Sequence, residues 1–503
     1  MKFFKNKILL VLVVLLALQT SCDDGFAEIN TNPQAAIAIN PNFQMTWVQL
    51  RTSGGRYENW RASLIYSSMM IQHLSALCGY WSGDKYTYNG GYSSSLIDNA
   101  YREQVKDMQD LINTLETGAA GDQTMLGMAR IWRVVIFHRL TDMYGDVPYF
   151  EAGKGALEGI DFPAYDAQEV IYADMLKELE EGVAQIGSGG FGGADLIYGG
   201  DAAQWKRFGN SLMLRLAMRL SEVDPGTAQA WAAKAIAGGV MSSNADDAFI
   251  QHTNGPEGIN RNGIGEVLDK SNGFGDDCPR LSSTLVGLLE STGDPRLNIF
   301  GIPSENTGAI AGMPNGLDET TIQDNPTGTS VGDFSRINPA IVLVESPMMF
   351  MTYAETELLL AEAAMRGWGA SDAGAHFEAG MRAGIKMWEH YDATLAVDAA
   401  AVDAFVAANP FDATNGMQQI GEQYWLATFL NEYEAFSNFR RTGYPDLTPV
   451  NYPGNVTNGQ IPLRLAGNPG EGSLNPNFEA AKSRQGLGSD FSSHMSVPVW
   501  WDK

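Results

Sequence analysis

Residues 79–92 carry five aromatic side chains in 14 positions: Tyr80, Trp81, Tyr86, Tyr88 and Tyr92. The glycines and polar residues between them oppose a helix, so this stretch reads as a loop. Flat apolar rings on a loop suit the C–H faces of a sugar ring, and Ser82, Asp84 and Asn89 stand ready to bond hydroxyls. Two uses compete. The rings either contact a ligand, or fold back to pack against the scaffold or a partner protein. Asn272 and Phe274, in the Gly-rich stretch 272–277, form a second and smaller candidate set.

The chemistry of covalent catalysis is missing from the motifs. There is no G-x-x-x-x-G-K-S/T, no G-x-S-x-G and no H-E-x-x-H, and no cysteine pair at zinc spacing. His73, His138, His252, His376, His390 and His494 are scattered, and read as packed or solvated residues. Asp276 and Asp277 are the best local carboxylate pair, but neighbouring loop side chains usually face solvent rather than each other. No cofactor and no metal is expected, with a structural calcium ion left open. Arg215 and Arg219, one helical turn apart, and Arg130 with Arg133 suit ion pairs with Asp or Glu.

The chain has 503 residues and a formal charge of −26, which becomes −29 without the three lysines of residues 1–21. Such a surface repels phosphate backbones, so nucleic acid is excluded as a partner and the expected ligand is neutral, or cationic in part. Residues 1–21 read as an export signal. Lys2, Lys5 and Lys7 precede the apolar run Ile8–Leu18, which is too short to span a bilayer. Cys22 at its exit marks a lipoprotein, acylated on the first residue after cleavage. Gln19 holds the position where a lipobox usually has Leu. The remaining cysteines, Cys78 and Cys278, either form one disulfide or stay as two buried thiols.

Behind these sites stand helices. The clearest pattern is 167–186, where Tyr172, Met175, Leu176, Leu179, Val183 and Ile186 share one face, Asp166 supplies a cap and Gly187 a stop. Further helices are expected over 43–50, 60–77, 96–116, 124–144, 202–223, 227–237, 281–291, 347–366, 372–390, 397–408 and 418–441. They pair through short turns, as tetratricopeptide-like repeats do. The expected organisation is a signal over 1–21, a tether over 22–41 and one domain over 42–503. That domain is all-α dominated, a helical-repeat core with loop-rich insertions near 79–95, 238–346 and 443–503.

Seven stretches in order resemble the SusD/RagB nutrient-binding outer-membrane lipoproteins of the Bacteroidetes, in their SusD-like branch. They are Cys22–Pro33, Leu140–Tyr149, Asp195–Asp201, Trp205–Leu212 with Arg215, Arg219 and Ser221, Asp294–Leu297, Phe439–Pro445 and Pro498–Asp502. The resemblance implies a tetratricopeptide-like core, a lipid anchor on the outer cell face and no catalysis. It implies a SusC-like TonB-dependent outer-membrane barrel as partner, and capture of oligosaccharide for delivery to it. A peptide-binding member of the family and a lipid-anchored glycan hydrolase are the alternatives. The motifs themselves read as fold, and position within the family maps a sugar-stacking Trp onto Trp81. The stretch around Arg464 departs from the family's usual arginine-and-tyrosine-proline pattern, reading Leu465-Ala466-Gly467-Asn468-Pro469.

Overall fold

The one-sided apolar pattern over 167–186 produces the helix Gln168–Gln185, which buries Ile171, Tyr172, Met175, Leu176 and Leu179. It packs between Gln123–Tyr144 and Ala202–Arg219. Small residues permit the close approach: a Cβ on Gly127 would stand 2.5 Å from the carbonyl oxygen of Gly182. The computed structural model describes residues 39–118, 122–273 and 275–502. Cys22, the tether up to residue 38 and Phe274 lie outside the described residues, and so does the Asn272 side chain.

Helix pairing continues along the chain. Ala202–Arg219 packs on Pro225–Gly238, Tyr353–Arg366 on Ala373–Lys386, and Gly416–Ala427 on Glu432–Thr442. This is a helical-repeat scaffold with long loop-rich insertions, and Pro41–Lys503 forms one unit. Among the described residues three short antiparallel pairs join separate stretches: Leu74–Ala76 with Pro279–Leu281, Val147–Pro148 with Tyr165–Asp166, and Ala248–Ile250 with Met348–Met351.

Several expected boundaries move, each for a local reason. The stretch 60–77 is helical only to Met70, because Gln72 adopts φ +60° and turns the chain into the strand Leu74–Ala76. Leu430 at φ +70° splits 418–441 into two helices. The segment 347–366 begins as a strand, and its helix starts at a Thr352/Glu355 capping box. Asp166 does not cap Gln168–Gln185. Its carboxylate accepts from the Tyr149 and Phe150 N–H groups, while Asp146 accepts from the Gln168 N–H.

Arginines cross-link the helices from inside. Arg215 pairs with Glu355 at 2.6 Å, Arg219 with Glu434 at 2.7 Å and Arg441 with Glu362 at 2.7 Å, all six side chains buried. Arg130 pairs with Glu178 at 2.7 Å. Arg133 departs from this pattern, donating to the Tyr149 carbonyl and lying over the Phe137 and Tyr149 rings. Removing one partner of such a buried pair is far more damaging than the pair is stabilising.

Candidate functional site

The aromatic loop lies against one unusual helix. Asn59–Ser68 is wound as a π-helix, a form that recurs at functional sites. Its Tyr66 hydroxyl donates to the Thr87 carbonyl and accepts from the Asn89 N–H. Gly83 sits so close that a Cβ there would fall 1.7 Å from the Ile65 carbonyl oxygen, so only glycine fits.

From the other side, Cys78 and Cys278 are joined by a disulfide with Cα atoms 5.8 Å apart. Strand Leu74–Ala76 runs beside Pro279–Leu281 just before it. This staple brings Asp276 under the loop, where its carboxylate accepts from the Trp81 indole at 2.7 Å and from the Tyr80 hydroxyl at 3.2 Å. Asp277, its neighbour, pairs with Lys270 at 2.6 Å instead.

The loop residues therefore divide. Trp81, Asp84 and Tyr86 have no accessible surface and offer nothing to a ligand. For Trp81 this corrects the expectation of a stacking face: its edge is held by Asp276 and its rings are core. Asp84 pairs with Lys85 at 3.0 Å and accepts from the Gly316 N–H, and burial pushes its carboxyl above the usual range. Tyr86 adopts φ +52°, and its hydroxyl accepts from the Val450 N–H. Tyr88 is half-buried. Asn89 is exposed and caps a short helical turn by accepting from the Tyr92 N–H.

Tyr80 and Tyr92 stay at the surface, where they meet two residues that sequence alone placed in a helix or left unassigned. Tyr57 is 59% exposed and Tyr80 46%. Trp60 lies between them, with ring centroids 6.3 Å from Tyr57, 6.0 Å from Tyr80 and 5.7 Å from Tyr92. The Arg61 guanidinium spans the group, 4.9 Å from the Tyr57 ring and 5.3 Å from that of Tyr92. Such cation–π contacts hold rings in place without hiding them in the core. Four rings and one arginine thus form a surface platform. The missed signal was the Tyr57/Trp60/Arg61 spacing, which sets three large side chains on adjacent helical turns near the loop.

Below the platform Glu58 is buried, and burial lifts its pKa from 4.5 to about 8, with the Arg139 charge opposing.

The family model described as "Starch-binding associating with outer membrane", the SusD-like family, matches residues 33–466. The chain belongs to the SusD-like family. Solved SusD-like structures agree with the fold. A chitin-binding protein shares 34% identity over 92% of this chain and 100% of its own, with a TM-score of 0.83. A SusD-like protein of Bacteroidetes AC2a shares 27% over 92% and 100%, at 0.81. A chitin-binding SusD homolog from Flavobacterium johnsoniae shares 25% over 92% and 97%, at 0.75. No curated protein matches the chain. In this SusD-like chain the family motifs serve the fold: Asp195 accepts from the Trp205 indole, the Gln49 amide and three backbone N–H groups of its own turn. No helix among the described residues is long and apolar enough to cross a membrane.

Proposed function

We propose that this protein captures uncharged oligosaccharide at the cell surface on the Tyr57–Trp60–Tyr80–Tyr92 platform, with chitin-derived N-acetylglucosamine oligomers as the preferred class. The exposed ring cluster carries the reading. Partly exposed rings tilted 46–66° to one another offer faces and edges to the C–H surfaces of successive pyranose rings, and the exposed Asn89, whose side chain accepts from the Tyr92 N–H, adds a group for hydroxyls. The chain's charge of −26 favours a neutral ligand. Two of the structural relatives named above are described as chitin-binding, and they supply the sugar class.

In this reading Cys22 carries the lipid anchor, residues 23–40 form the tether, and the cargo passes to a SusC-like TonB-dependent barrel. The family's description as associating with the outer membrane supports that setting. The protein needs no cofactor and performs no catalysis here. Surface stacking gives affinity near micromolar, about −8 kcal/mol, which permits release to the barrel.

Calorimetric titration with chitohexaose, maltohexaose and a mixed peptide pool tests the assignment. Chitohexaose is expected to bind, and Trp60→Ala to weaken it about tenfold, the equivalent of one aromatic contact worth about 1.4 kcal/mol. Binding of the peptides alone, or new reducing ends in the sugar samples, overturns the reading.

A further inference from the structure

A cavity opens away from the platform, bounded by the 97–102, 144–148, 161–165 and 464–494 segments, with a volume of about 700 Å³. That is the size of a small-molecule site. It shares no lining residue with the aromatic platform. Tyr165 and Phe478, with ring centroids 5.5 Å apart, form part of its wall, and Phe162 at its edge is 58% exposed.

Arg464 is the unusual group in this wall. It is 2% exposed and lies within ion-pair distance of no carboxylate among the described residues. Its one hydrogen bond runs from Nη2 to the Gln485 side-chain oxygen at 2.7 Å, and its Nη1 has no partner. The nearest acid in the wall, Asp146, is held by Arg484 at 2.7 Å. Arg215, Arg219, Arg296 and Arg441, equally buried, each hold a carboxylate. A buried guanidinium keeps its charge and requires oxygen acceptors, so Arg464 is short of one.

The rest of the lining carries carboxylates together with Arg102 and His494. Asp98, Asp161 and Glu471 line the cavity. Asp98 and Asp161 are exposed, and Glu471 accepts from the Tyr165 hydroxyl at 2.8 Å. An anionic ligand satisfies Arg464 but shares the cavity with three carboxyl groups. An uncharged sugar with an acyl oxygen suits both kinds of group, its carbonyl toward Arg464, its hydroxyls toward the acids and a ring face on Tyr165 or Phe162. Gly467 keeps the space open: it lines the cavity, and a Cβ built on it meets nothing within 4 Å.

We infer that this cavity is a second saccharide site, for one or two uncharged N-acylated sugar rings, independent of the platform. The sugar class rests on the proposed function, but the location does not. Native mass spectrometry of the full chain with N,N′-diacetylchitobiose counts the sites. Two bound disaccharides are expected at saturation, falling to one in Gly467→Phe, which fills the cavity, and to one in the platform variant Tyr57→Ala/Tyr80→Ala. Asp161→Asn, an exposed change, is expected to weaken only the Gly467-sensitive event. If Gly467→Phe and Asp161→Asn both leave the count and affinities unchanged, the cavity is no site and this inference fails. If only the platform variant is without effect, the proposed function fails and the cavity stands. Glucuronate displacing the disaccharide from the Gly467-sensitive site with higher affinity overturns the uncharged class.

Discussion

Tyr80 and Trp81 are neighbours in one loop, yet one ring faces water and the other is core. The same holds a few positions on, where Tyr86 is enclosed and Tyr92 lines the surface. Composition is alike in the two halves, so it does not decide which rings are free. The anchors decide: the Cys78–Cys278 disulfide and Asp276 draw Trp81 inward, and Lys85 with the Gly316 N–H draws in Asp84. The π-helix holds Thr87 and Asn89 and leaves Tyr92 beside Trp60. The exposed ring surface here is what remains of an aromatic loop after its anchors are satisfied.

The strongest way to break this contrast is to remove the staple. Cys78→Ser/Cys278→Ser releases a 200-residue separation and is expected to lower stability by about 5 kcal/mol on the chain-entropy account. Denaturant unfolding with and without reductant reads the difference. Reductant that changes the wild type no more than the variant contradicts the role of the bond. Trp81→Ala comes next, at about 3–5 kcal/mol for an emptied buried ring site. Its binding loss should follow the unfolded fraction alone. Glu58 sharpens the comparison through pH. Its folded pKa is raised to about 8 against 4.5, so its contribution to stability is full below pH 4.5 and declines to nothing as pH rises through 8. Glu58→Gln should flatten that part of a melting-temperature profile between pH 4.5 and 8, and an unchanged slope refutes the assignment.

Much of this was legible in the sequence. Residues on one face of 167–186 gave the helix, and the family motifs gave the scaffold because in this chain they hold turns and buried ion pairs. Arg215 and Arg219 found acids, as their spacing in an acidic chain suggests. What the pattern of types did not disclose was long-range placement. Nothing near Trp81 in sequence announces Asp276, 195 residues away. Trp60 reads as an ordinary helical aromatic until the loop lands beside it. Helix breaks at Gln72 and Leu430 rest on positive φ at residues that rarely adopt it, and so leave no trace in composition.

Tyr80 is free and Tyr86 is enclosed. Tyr80→Ala and Tyr86→Ala, compared in one titration with chitohexaose and one thermal melt, test this most directly. Tyr80→Ala should lose about tenfold in affinity at an unchanged melting temperature, and Tyr86→Ala should melt several degrees lower while the folded protein binds as before. The opposite pairing, with affinity lost at Tyr86 and stability lost at Tyr80, contradicts the account.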